Sequence, residues 1–472
     1  MIDFQPIRKR KGAPTLVEQI VQAFADAIAR QTLRPGMAIP SVREFARQHG
    51  LSTFTVASAY GRLVAQGWFG ARAGSGYRVS GAGRAVRTPQ PAGWAPPRLN
   101  TGWLLSDIYA DHSIPIKAGC GWLPGEWLNE EGLHQALRHM GRVPALRISG
   151  YGHPQGYAPL RESIAAALAL HGLPLESEQI VLTQGVTHGL DLVIRTLLRP
   201  GDVVLVEAPC YANLLQLLRL TGMRAVAVPR DEAGLDLAAL EQAVLEHRPR
   251  ALFVNTVLQN PSGTTLGMAN AFRLLQSASQ HDYWIIEDDI SRELLPGMAP
   301  LLAALDGGER VIYLGGYSKV ISPSVRVGYI AAHRDLARDL ARSKMAAGLT
   351  SPEIMERVVH QVIGDGRYRN HILRTRERLA QAHGQVVRQM EEAGFEIAAR
   401  PQAGLFLWAR PAAGAPGGRE LAERALGDGI WLAPGCYFDA GEADTPWLRF
   451  NVAYAGQDAL WRFLRQACAQ AR

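Results

Sequence analysis

Tyr317-Ser-Lys-Val-Ile-Ser-Pro-Ser-Val-Arg-Val-Gly-Tyr329 follows the apolar run Val311-Ile-Tyr-Leu314 and the turn Gly315-Gly-Tyr-Ser318. The run is short, apolar throughout and bounded by turn residues, so it reads as a buried strand with Lys319 at its carboxyl end. Lysine is scarce beyond residue 114, where only Lys117, Lys319 and Lys344 occur and arginine serves elsewhere. The difference is chemical: a guanidinium stays protonated, whereas a lysine amine can lose its proton and add to an aldehyde. Lys319 is therefore the expected nucleophile. Lys344, in an Arg-rich helical stretch, is expected to be a surface charge.

Further strand-like runs, Ile180-Val-Leu, Val203-Val-Leu-Val, Ala251-Leu-Phe-Val and Trp284-Ile-Ile, alternate with helical stretches. That alternation predicts a mainly parallel α/β sheet covered on both faces, with ligands collecting at the strands' carboxyl ends.

Toward the N-terminus the pattern changes. Thr15-Leu-Val-Glu18 is a capping box, and Leu16, Ile20, Phe24, Ala27 and Ile28 recur at helical spacing until Arg34-Pro-Gly36. A second box, Ser41-Val-Arg-Glu44, opens a short helix with Val42, Phe45 and Ala46 inward and His49-Gly50 as its stop. Ser52 caps a third helix, with Val56, Tyr60, Leu63 and Val64 inward, and Trp68 to Val79 reads as two strands around the basic loop Arg72-Ala-Gly-Ser-Gly76. Two short helices across a tight turn, backed by a basic hairpin, make a winged helix-turn-helix. The DNA-binding set expected here is Arg43, Ser52, Thr53, Thr55, Arg72 and Gly74, with Thr53 and Thr55 toward the bases and Arg43 and Arg72 near phosphate.

Charge placement supports this reading. Residues 1–80 hold 11 Lys/Arg and 4 Asp/Glu, against 50 and 43 in the whole chain, which leaves 39 of each elsewhere. A basic module joined to a neutral one calls for a polyanion as partner of the first. The expected division is a DNA-binding domain over 1–80, a Pro/Gly-rich linker over 81–114 and a ligand-binding domain over 115–472. Cys120, Cys210, Cys436 and Cys468 lie far apart at no zinc spacing and are expected to be buried free thiols, with no metal site. No run approaches the ~18 apolar residues of a membrane helix, and Arg8 to Lys11 lead into no signal core, so a cytoplasmic protein is expected.

Leu33-Arg-Pro-Gly-Met-Ala-Ile-Pro-Ser-Val-Arg43 and Gly74-Ser-Gly-Tyr77 resemble the GntR family of bacterial regulators, with Thr53 where that family commonly has Arg. Residues 115 to 472 resemble fold-type I aminotransferases, which implies pyridoxal 5′-phosphate as cofactor. On that resemblance Lys319 forms the Schiff base, with Ser318 beside it, and Arg326 holds the phosphate. Val186 and Thr187, in Thr183-Gln-Gly-Val-Thr-His-Gly-Leu190, supply the phosphate loop, and Tyr211 stacks on the ring. Asn260, in Asn260-Pro-Ser-Gly263, donates to the ring oxygen, and Asp288, in Ile286-Glu-Asp-Asp289, keeps the ring nitrogen protonated. Arg449 binds a substrate carboxylate and Tyr151 reaches the neighbouring subunit's cofactor.

The whole is similar to the MocR subgroup of GntR regulators, which implies a homodimer that binds an operator and senses pyridoxal phosphate or an amino-acid or amine effector. The alternative is a working aminotransferase with an accessory DNA module, since Lys319, Asp288, Asn260 and Arg449 are all present. Two departures favour regulation: Ile290 stands where the resembled enzymes have Tyr, and Gly316 where they have Ser or Thr.

Overall fold

Described in the computed structural model are Phe4 and residues 15–30, 32–72, 76–80, 114–144, 149–412 and 415–469. Contacts group the chain into two units, Met1–Pro96 and Pro97–Arg472. The expected linker over 81–114 lies, except for Ile114, outside the described residues, as do Arg8 to Lys11 and Gly74.

In the first unit, α1 (Leu16–Ala29) starts at a complete capping box: the Thr15 hydroxyl accepts from the Glu18 N–H at 3.3 Å and the Glu18 carboxylate from the Thr15 N–H at 2.8 Å. At α2 (Val42–His49) only the Ser41 half of the expected box is present, accepting from the Glu44 N–H at 3.2 Å. Gly50 ends α2 in the left-handed region, and α3 (Thr53–Ala65) follows Ser52 as its cap. Phe24, Phe45, Tyr60 and Phe69 form an aromatic core with Ile20, Val56 and Leu63. Burying each such side chain stabilises the unit by about 1.5–3 kcal/mol, which a three-helix domain needs. The strands β1 (Ala38–Ile39), β2 (Phe69–Arg72) and β3 (Gly76–Val79) pair antiparallel in the order β1-β3-β2, the wing.

The second unit is built on a seven-stranded sheet. Its strands are β4 (Ile180–Thr183), β5 (Val203–Ala208), β6 (Arg224–Pro229), β7 (Ala251–Asn255), β8 (Trp284–Asp288), β9 (Val311–Gly316) and β10 (Gly328–Ala331). Their order is β4-β10-β9-β8-β7-β5-β6, parallel from β9 to β6. The strand at Ile180, expected within the parallel set, joins it only through β10, which runs antiparallel to both neighbours. A smaller antiparallel sheet of β11 (Phe395–Ile397), β12 (Phe406–Pro411), β13 (Ala433–Pro434) and β14 (Leu448–Asn451) carries Arg449.

Two expectations are corrected. Lys344 is no surface charge: only 1% exposed, it donates to the Leu182 carbonyl at 2.7 Å, near the buried Glu356 carboxylate. Its helix presents arginines outward at 334, 338 and 342, whereas Lys344 falls on the face toward β4. None of the four cysteines forms a disulfide, but Cys468 is only partly covered.

Candidate functional site

A cavity of about 320 Å³ lies at the carboxyl ends of β5, β7, β8 and β9, a size that suits a small molecule. Lys319, Ser318, Asp288, Asn260 and Tyr211 line it, together with Val186, Thr187, Arg326 and Arg449. Nine of the ten residues expected around cofactor and substrate thus converge on one space. The tenth, Tyr151, does not, and projects into solvent at 84% exposure.

The strand pleat selects the acid. Along Glu287-Asp288-Asp289, alternate side chains face opposite ways, and only Asp288 lines the cavity. Glu287 turns away to accept from the Leu302 and Ala303 N–H groups at 3.0 and 2.9 Å, and Asp289 pairs with Arg292. Burial pushes Asp288 up to about 6, partly offset by the Ile290 N–H and the Lys319 charge. Burial also lowers Lys319 to about 8, helped by the positive charge of Arg449. At pH 7 that raises the neutral fraction of the amine from ~0.03% to roughly 10%. The amine donates to the Gly121 carbonyl.

The helix Val186–Leu197 begins at Gly185 with no side chain capping it, which leaves its first N–H groups without a side-chain acceptor where Val186 and Thr187 line the cavity. Gly185 has φ +82°, and a Cβ there would meet the Arg326 guanidinium at 2.6 Å. Arg326 itself adopts φ +49° and donates to the Gln184 carbonyl at 3.0 Å. Gly316 is close by: a Cβ there would lie 3.1 Å from a Val186 methyl, a tight contact that a shift of a few tenths of an ångström relieves.

Arg449 is buried between the rings of Phe406 and Phe438, at 4.7 and 4.8 Å. Its Nη1 donates to Asn260 Oδ1 at 2.8 Å and its Nη2 to the Gly119 carbonyl at 2.6 Å. Because the Asn260 oxygen is thus occupied, its NH2 is the end left as a donor. Asn260 is anchored from behind, its N–H donating to Asn255 Oδ1 at 2.8 Å. Asn255, Trp122 and Asn213 also line the cavity and were not anticipated. Asn255 had a signal, a polar residue closing the buried run Ala251-Leu-Phe-Val. Trp122 and Asn213 had none, since their approach depends on long-range packing. Cys120 is buried near this cluster, its thiol donating to the Trp122 carbonyl at 3.4 Å. Burial raises its pKa to about 11.

In the first unit, α3 starts with Ser52 Oγ accepting from the Thr55 N–H at 3.0 Å and lying 2.7 Å from Thr55 Oγ1. Both hydroxyls serve the cap, leaving Thr53 exposed beside it. Arg43, on α2, is also exposed. Arg72 closes β2, its side chain being outside the described residues, like Gly74.

Residues 138–465 match the class I and II aminotransferase family, and residues 16–79 the gntR family of bacterial regulatory proteins. The uncharacterized HTH-type transcriptional regulator YdcR of Escherichia coli K12 is 31% identical over 449 residues, covering 93% of this chain and 95% of its own. The probable rhizopine catabolism regulatory protein MocR of Rhizobium meliloti is 28% identical, over 77% of this chain and 74% of that one. This chain belongs to the MocR subgroup of GntR regulators. Its second unit also resembles the crystal structure of LysN, the α-aminoadipate aminotransferase of Thermus thermophilus complexed with N-(5′-phosphopyridoxyl)-L-leucine. That match has a TM-score of 0.71 at 29% identity, covering 78% of this chain and 95% of LysN.

This MocR-type regulator therefore joins a DNA-binding unit to one that takes pyridoxal 5′-phosphate. The cavity fits that group: a partly neutral amine suits its aldehyde, a carboxyl across the cavity its ring nitrogen, and the Gly185 cradle with Arg326 its phosphate. Among the described residues no group of His, Cys, Asp and Glu could hold a metal ion, and no helix is long and apolar enough to cross a membrane.

Proposed function

We propose that the second unit senses an amino acid and that its occupancy sets the DNA affinity of the first. When bound, pyridoxal phosphate supplies an aldehyde that condenses with primary amines and a ring that withdraws electrons. Lys319 is the resident amine, with Ser318 beside it, and Asp288 holds the ring nitrogen. Tyr211 covers one ring face, and Val186, Thr187 and Arg326 hold the phosphate. Arg449 takes the effector's carboxylate. The observation that carries the reading is the Arg449–Asn260 hydrogen bond: a carboxylate arriving at Arg449 competes for the nitrogen that now orients Asn260. Carboxylate binding thereby loosens a cofactor-facing group, giving ligand and cofactor a shared contact through which two states can differ in affinity.

DNA is bound by residues 1–80, with Thr53 toward the bases, Ser52 and Thr55 organising the helix start, and Arg43, Arg72 and Gly74 toward the backbone. Tyr151, so exposed in one chain, reaches the cavity of a second copy, making a homodimer that reads paired half-sites. The setting is the cytoplasm.

A working aminotransferase remains the second reading, supported by the presence of Lys319, Asp288, Asn260 and Arg449 around one cavity. Ile290 weighs against it, since an apolar side chain there cannot donate to the ring oxygen. Spectral titration of the holoprotein with a panel of amino acids, followed by keto-acid assay and DNA-binding measurement, separates the two. The sensor reading expects a spectral shift, altered DNA affinity and negligible product. Turnover near ~10 per second with unchanged DNA affinity overturns it. Sedimentation of the holoprotein as a monomer only would exclude the dimer, and operator binding by a chain lacking residues 1–80 would exclude the assigned DNA-binding segment.

A further inference from the structure

We infer that Phe54 reads the 5-methyl group of a thymine in the operator's major groove. On α3 the apolar residues Val56, Ala59, Tyr60 and Leu63 are buried, yet Phe54, in the first turn, is 81% exposed. A lone exposed apolar side chain is ordinary on a protein surface. Phe54 differs in its position, on the helix a GntR unit lays against DNA and in a segment holding the chain's whole excess of positive charge. The Ser52 and Thr55 hydroxyls are tied together in the cap, so the outward groups at the helix start are Thr53 and Phe54. A phenyl ring has no hydrogen bond to offer, and the apolar feature on the major-groove edge of a base pair is the thymine methyl. Insertion as a wedge between base steps is a minor-groove device and does not suit a ring carried on a major-groove helix. Covering Phe54 with a methyl group removes apolar surface from water on both partners.

The test uses full-length holoprotein and duplexes that it selects from a randomised library. In the selected duplex each thymidine is replaced singly by deoxyuridine, which lacks only the methyl group. One symmetry-related position per half-site should weaken wild-type binding about fourfold, the worth of one buried methyl. With Phe54→Ala the same replacement should change affinity less than about 1.5-fold, while Phe54→Leu keeps part of the sensitivity. Thr53→Ser, which removes that residue's own methyl, should leave the uridine effect intact. Phe54 is on the surface, so the Ala variant should fold, as its unchanged melting and cofactor absorption would show. The inference is overturned if no thymidine position responds, or if Phe54→Ala stays as sensitive as wild type. It is equally overturned if Thr53→Ser abolishes the effect.

Discussion

Lys319 and Lys344 are both removed from bulk water, and burial lowers each to about 8, yet they sit in regions of opposite character. Lys319 faces a cavity, across from Asp288 and near Arg449. Lys344 faces protein: its amine is spent on the Leu182 carbonyl, which also accepts from the Ser351 hydroxyl at 3.5 Å. Nearby, Glu356 accepts from the Tyr157 N–H at 2.8 Å and lends its negative charge. A depressed amine pKa therefore marks burial and does not by itself mark reactivity. What separates the two regions is whether there is room in front of the nitrogen for something other than the chain.

The sharpest way to break that comparison is to remove each amine in turn. Lys319→Ala should abolish the absorption of covalently bound cofactor entirely, with Lys344 unable to substitute; covalent cofactor persisting in that variant would show Lys344, or another amine, to be accessible. Lys344→Met should leave the absorption band intact but lower unfolding free energy by about 2 kcal/mol, because a charged hydrogen bond is lost and Glu356 loses a nearby positive charge. Urea denaturation of the holoprotein measures this, and an unchanged midpoint would mean that the buried amine is inert structurally as well.

Acidity sharpens the comparison further. Capture of the aldehyde needs the neutral amine, so its rate in the apoprotein should fall about tenfold per pH unit below about 8 and level off above it. Stopped-flow mixing with pyridoxal phosphate gives the profile, and Lys344→Met should leave its midpoint in place. A midpoint near 10 would mean that the charged amine is solvated. The smallest expected effect belongs to Ile290→Tyr: a restored donor should raise cofactor affinity by about 1 kcal/mol, or roughly fivefold, in equilibrium dialysis.

How far the site was legible follows from the same contrast. Lys319 was readable because it follows a short apolar run, and a strand's end fixes where the next side chains gather, whereas Asp288 and Asn260 were placed by the resemblance to fold-type I aminotransferases. The helix-turn-helix was readable from its capping residues, down to Ser52 and Gly50. Lys344 was misread because its partners, Leu182 and Glu356, come from distant elements, and local arginine content carries no information about them. The antiparallel entry of β10 escaped because periodicity does not encode strand direction.

The Cys120 thiol, next to the cavity-lining Gly121 and Trp122 but not itself in the lining, gives that wall a built-in clock. With a pKa of about 11, only roughly one thiol in ten thousand is ionised at neutral pH, and it is shut away from solvent. An alkylating reagent can label it only during excursions in which the wall parts and the sulfur recovers ordinary acidity. The labelling rate thus counts those openings, and its slowing on addition of cofactor or amino acid would time how long each visitor keeps the wall closed.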